Sequence, residues 1–139
     1  MRGDDALGSL LAKKLSNLLK YNHDVIVYDA GTVPENFTGA IKKDNPSHII
    51  LIDAVDMKEK PGYMRLITKD EIANYSLSTH VLPLSFLIKY LESTGTALIL
   101  LLGVQPGNMD LNNEISIEVE NSIVYLLKLF DRLIKSSQP

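Results

Sequence analysis

Ile49-Ile50-Leu51-Ile52-Asp53 is a continuous apolar run that stops on a carboxylate, and it constrains the chain more than any other stretch. A run this short, rich in Ile and followed by Ala54-Val55-Asp56 before a charged loop, predicts a central strand covered on both faces. Asp53 then stands at its carboxyl end. In open parallel α/β sheets that rim is where ligands and chemistry collect, because rigid strands deliver side chains there and helices begin there.

The remaining segments read as alternating helices and strands. Leu7, Leu10, Leu11, Leu15, Leu18 and Leu19 recur at intervals of three and four, so they mark one stripe of a helix opened by Asp4-Asp5. Either aspartate suits the orphan N–H groups and dipole at a helix start. Val25–Asp29 predicts a second strand, left through the turn Ala30-Gly31-Thr32, and repeats the pattern of an apolar run ending on Asp. A short helix over Asn36–Lys43 closes before Asn45-Pro46, where proline cannot continue it. Lys58-Glu59-Lys60-Pro61-Gly62 is a charged turn, and Tyr63–Ile67 alternates like an edge strand. Thr68–Glu71 is a loop or helix start, and Asn74–Thr79 has no clear period.

From His80, Leu84, Leu87, Ile88 and Leu91 fall on one helical face, with Pro83 accommodated in the first turn and Ser78 or Thr79 as cap. His80 therefore stands at a helix N-terminus, where the dipole disfavours imidazolium and keeps the ring able to bind metal. It also fits a polar residue beside a cap. His23 and His48 have no comparable setting. Ala97–Val104 is a further buried strand, closed by Gln105-Pro106-Gly107. A last helix starts near Ser116 and turns Ile115, Val119, Ile123, Leu126, Leu127, Phe130 and Leu133 inward.

Such alternation specifies an α/β fold, a three-layer α/β/α sandwich whose largely parallel sheet carries helices on both faces. Residues 1–139 form one domain, since no linker, repeat or low-complexity tract divides them. A net charge of −3 without a Lys/Arg cluster argues against nucleic acid as partner. Zero cysteines remove disulfides, thiolate metal sites and Cys nucleophiles, in keeping with a cytoplasmic protein. The longest apolar run, Ala97–Val104, is too short to cross a bilayer, and no coiled-coil seam is evident, so a monomer is expected. One element is missing: the first helix follows Met1-Arg2-Gly3 with no strand before it, as if the true start lay upstream.

Gly3-Asp4-Asp5-Ala6-Leu7-Gly8, Asp29-Ala30-Gly31-Thr32, Asp53-Ala54-Val55-Asp56 with Pro61-Gly62, Ser78-Thr79-His80 and Gly103-Val104-Gln105-Pro106 occur in this order. Together they resemble the maturation endopeptidases of nickel-iron hydrogenases, from Gly3 into the last helix. The departure is the absent first strand with its Gly-Asn turn. The resemblance implies a protease that recognises nickel in the hydrogenase large-subunit precursor and then removes a short C-terminal extension. It places metal contacts on Asp5, Asp53 and His80, and the cleft-side turn on Gly31 and Thr32.

The residue types agree with that assignment. Two carboxylates and an imidazole suit a borderline divalent ion, nickel supplied by the precursor, with zinc or cadmium as substitutes, and three ligands leave positions open. The resulting expectation is metal-assisted hydrolysis in which Asp53 or Asp5 takes a proton, or docking through a metal that belongs to the substrate. Two other classes compete. A phosphoacceptor signalling domain would use Asp4, Asp5 and Asp53 to hold magnesium, but it needs a Lys where this chain has Val104-Gln105-Pro106. A non-catalytic nickel- or precursor-binding protein would need no catalytic base.

Overall fold

The computed structural model describes residues 3–30, 34–68, 70–71, 76–77, 81–107 and 114–136. A 3₁₀ turn, Gly3–Ala6, leads into α1, Leu7–Leu18. A second 3₁₀ turn, Pro34–Phe37, leads into α2, Thr38–Asp44. Then come β1, His48–Asp56, β2, Met64–Ile67, and β3, Ser76–Leu77. The chain continues through α3, Val81–Thr94, β4, Leu98–Val104, and α4, Ile117–Ser136.

Strand order is β2-β4-β1-β3. The inner pair is parallel, in register from His48 opposite Leu98 to Ala54 opposite Val104. The flanks are antiparallel and shorter: β2 pairs β4 from Met64 opposite Val104 to Ile67 opposite Leu101, and β3 meets β1 only at Val55 and Asp56. Most of the sheet's length is thus the parallel β1–β4 ladder.

Alternation along the strands sorts the core into two halves. Val55, Leu101 and Ile67 join Ile41 of α2 and Leu87, Ile88 and Leu91 of α3 on one face. Ala54 and Val104 join Leu7, Leu11 and Leu15 of α1 and Val119, Ile123 and Leu126 of α4 on the other. Because successive side chains of a strand point to opposite faces, these clusters lie on the two sides of one sheet, with helices covering both. The expected α/β class is present.

Several local expectations change. β1 runs three residues past Asp53, and its amino-terminal half is only partly covered, with Ile50 46% exposed. The helix expected to open at Asp4-Asp5 begins at Leu7, and the residue at its cap position, Ala6, supplies no side-chain cap bond. Leu18 and Leu133 lie outside the buried stripes of their helices. α2 is capped at its C-terminus by Asn45, which has a left-handed φ of 48° and donates its N–H to the carbonyls of Ile41 and Lys42. A two-residue ladder interrupts the segment read as aperiodic, since β3 is too short to show a period.

The largest departure is Val25–Asp29, which forms no ladder among the described residues. Its pattern is nevertheless that of a strand: Val27 packs on the α1–α4 cluster and Tyr28 on the α2–α3 cluster. Alternation encodes which way side chains point, whereas a ladder also needs a neighbouring backbone at the right spacing.

Tyr28 is fixed by two contacts. Its ring meets Phe37 edge-on at 5.7 Å, and its hydroxyl donates a short hydrogen bond to Asp44. That bond, followed by burial and the Asp44 charge, raises the phenol from 10.0 to about 12. A raised folded-state value stabilises the fold fully below the unfolded value, and the contribution disappears as pH rises from about 10 to about 12. Urea unfolding of the wild type should therefore weaken across that window more steeply than that of Tyr28→Phe; parallel curves would show that the bond carries no stability.

Candidate active site

Asp53 sits in the parallel ladder opposite Gly103, so its position is set by both inner strands. By alternation it points to the same face as Leu51 and Val55, the side of α3. Its Oδ1 accepts the Ala54 amide at 2.9 Å, and its Oδ2 is buried. The glycine opposite is closely packed: a Cβ at Gly103 would meet Ile67 Cδ1 at 2.5 Å and the Val55 side chain at 3.2 Å, so both would have to shift. The strand beside Asp53 is therefore bare, and the space is filled from below by Ile67.

The turn that carries Asp5 packs against β1. Three residues on, Gly8 brings α1 close to the strand, since a Cβ there would lie 3.5 Å from the Ile52 carbonyl oxygen, the peptide group preceding Asp53. One helical position further, Ser9 Oγ donates to Asp29 Oδ1 at 2.8 Å. The start of α1, the segment leading to Gly31 and Thr32, and the Asp53 strand are thus brought into one neighbourhood. The carboxylate of Asp5, the turn residues Gly31 and Thr32, and His80 lie outside the described residues. His80 immediately precedes α3, whose Leu87, Ile88 and Leu91 cover the face to which Asp53 points.

Two features of this rim were not legible as functional residues in the sequence. Gln105 is 6% exposed, and its side-chain amide is fully engaged. Oε1 accepts the amides of Met57 at 2.6 Å and Glu59 at 3.3 Å, while Nε2 donates to Asp56 Oδ1 and the Pro106 carbonyl, both at 3.2 Å. Gly62 has φ 89° and lies against α4, where Ser122 Oγ donates to its carbonyl at 2.6 Å. The Gly-Val-Gln-Pro and Pro-Gly spacing was the only signal for either. Gln105 also occupies the position at which a phosphoacceptor domain needs a lysine, and its amide is committed to Met57 and Glu59 of the loop at one end and to Asp56 and Pro106 at the other.

A sequence profile described as HycI, hydrogenase maturation protease, matches residues 10–131. The chain belongs to the hydrogenase maturation protease family. An Escherichia coli K12 relative named hydrogenase 3 maturation protease is 41% identical over 108 residues, covering 76% of this chain and 67% of its own length. The crystal structure of a NiFe hydrogenase maturation protease HycI from Thermococcus kodakarensis superposes with a TM-score of 0.86 at 30% identity, over 96% of this chain and 85% of that one. The solution structure of the endopeptidase HycI from Escherichia coli gives 0.81 at 30% identity, over 94% and 83%. Membership makes this chain a peptidase. No helix among its described residues is long and apolar enough to cross a membrane.

Proposed function

We propose that this peptidase removes the C-terminal extension of a nickel-iron hydrogenase large-subunit precursor after nickel has been loaded into it. The observation that carries the reading is Asp53, a carboxylate held in register on the inner strands of a maturation-protease fold, next to a residue without a side chain. Nickel enters as part of the substrate. Asp5, Asp53 and His80 are the residues proposed to hold it: two carboxylate oxygens and one imidazole nitrogen form a donor set that suits nickel, with zinc or cadmium as substitutes. An ion so held would polarise the scissile carbonyl.

The chain's own groups then divide the work. The Ala54 amide holds one oxygen of Asp53, orienting the carboxylate so that it takes a proton from the attacking water. Gly31 and Thr32, following the Ser9-anchored Asp29, are proposed to border the cleft in which the tail lies. The protein acts as a cytoplasmic monomer in this reading.

Mixing the protein with nickel-loaded and nickel-free precursor tests it directly. Mass spectrometry should show loss of a C-terminal peptide only from the loaded form. Equal cleavage of both would remove nickel recognition, and cleavage of neither would overturn the substrate. His80→Ala should abolish processing with an unchanged circular dichroism spectrum, whereas processing at the wild-type rate would take His80 out of the site.

A further inference from the structure

The inner ladder pairs Ile49 with Ile99, Ile50 with Leu100, Leu51 with Leu101 and Ile52 with Leu102. Successive steps thus oppose aliphatic side chains of nearly equal size. Ile49, Leu51 and Ile99 pack on the α2–α3 cluster, and Ile52 and Leu102 on the α1–α4 cluster, so both faces of this stretch are apolar. In a half-buried strand a one-residue slip turns apolar side chains to solvent, and that fixes the register. Between two apolar faces the same slip exchanges one Ile or Leu for another. The aliphatic stretch therefore sets the pairing of β1 and β4 only weakly, and the marks that set it lie beyond, at the carboxyl ends of the strands.

Gln105 stands there, one residue past the end of β4, and its buried side chain crosses to the end of β1. Oε1 holds the Met57 and Glu59 amides, and Nε2 holds the Asp56 carboxylate. Its main chain meets the other neighbour: the Gln105 amide donates to the Tyr63 carbonyl at 2.7 Å, and the Gln105 carbonyl accepts the Gly62 amide at 2.9 Å. Sliding β1 past β4 by one residue would carry these groups about 3.3 Å apart, breaking all three side-chain bonds across the ladder and leaving a buried amide unsatisfied. A buried polar residue that forfeits its bonds on slipping fixes register where apolar packing does not. Gly103 adds a steric mark, but Ile67 travels with β4 because β2 pairs with it, and only Val55 of the two residues packed there belongs to β1.

Register decides what stands beside Asp53. In the observed pairing that is Gly103, whereas a slip of one residue in either direction would bring Leu102 or Val104 there. A branched side chain would then lie against the carboxylate. We propose that Gln105 fixes the register of β1 against β4 and is thereby a positioning residue for Asp53. The catalytic consequence rests on the reading of Asp53 as proton acceptor given above; the register itself does not.

Backbone NMR and steady-state cleavage of nickel-loaded precursor test the proposal together. Gln105→Met keeps the bulk and removes the amide. The amide resonances of Ile49–Ile52 and Ile99–Leu102 should double, and kcat per folded molecule should fall at least about tenfold with KM within about threefold of wild type. A Gln105 that only adds stability would lower Tm and leave one set of resonances with kcat per folded molecule unchanged, which overturns the proposal. Should Gln105→Met fail to fold, Gln105→Glu carries the test: it keeps the acceptor for Met57 and Glu59 but sets a second carboxylate against Asp56, so the resonances should again double. Adding Asp56→Asn, which returns a donor to that contact, should restore the single set and the wild-type kcat. A single set in Gln105→Glu by itself overturns the register assignment, and doubled resonances at wild-type kcat overturn the link to Asp53. Failure of the wild type to cleave loaded precursor would strike the processing reading and leave the resonance test standing.

Discussion

Asp53→Asn should lower precursor cleavage by about a hundred- to ten-thousandfold, the range expected when a positioned proton acceptor is lost. The substitution is nearly isosteric, and the amide oxygen of Asn can still accept the Ala54 N–H that Asp53 Oδ1 accepts at 2.9 Å. What disappears is the negative charge and with it the capacity to take a proton. The backbone register opposite Gly103 is untouched, so the thermal midpoint should stay within a few degrees of wild type. Mass spectrometry of the precursor over hours, beside a thermal melt of the variant, gives both readouts. Cleavage at the wild-type rate would show that Asp53 takes no part in the reaction; a collapsed melting curve would assign it to the fold.

Gly62→Ala should be the most damaging single-methyl change outside the two cores. Its φ of 89° is one that residues with a Cβ rarely adopt, which alone costs on the order of 1 kcal/mol. The added Cβ would also lie 2.7 Å from the Glu118 carbonyl oxygen and 3.0 Å from Ser122 Oγ. Relieving that overlap moves α4 or the loop, at about 1–3 kcal/mol. The sum, about 3 kcal/mol, corresponds to a Tm lower by roughly 10 °C. Adding Ser122→Ala should not restore stability, because the nearer obstacle is backbone. A Gly62→Ala protein that melts with the wild type would show that α4 adjusts freely against the loop.

Both predictions turn on how local and distant information divide in this chain. The elements whose partners are their own neighbours were readable: Leu7, Leu11 and Leu15 share a stripe by spacing alone, as do Leu87, Ile88 and Leu91, and Val119, Ile123 and Leu126. The run Ile49–Ile52 announced a strand through composition, and Asp53 stood out as the charge that ends it. Family motifs carried the rest, because five short signals in order are specific where each alone is not.

Contacts between residues far apart in sequence were not readable in this way. Gln105 meets Met57 across 48 positions and Ser122 meets Gly62 across 60, and no periodicity reports such a pair. Val25–Asp29 shows the same division from the other side: its alternation is local and is honoured by the packing of Val27 and Tyr28, yet a ladder needs a second backbone. Composition and spacing thus determined the four helices, the two inner strands and the α/β class. The tertiary arrangement decided which strands pair, where helix α1 begins, and which buried amide holds the loop after β1, since hydrogen bonds and steric exclusion act only between groups that the fold has already brought together.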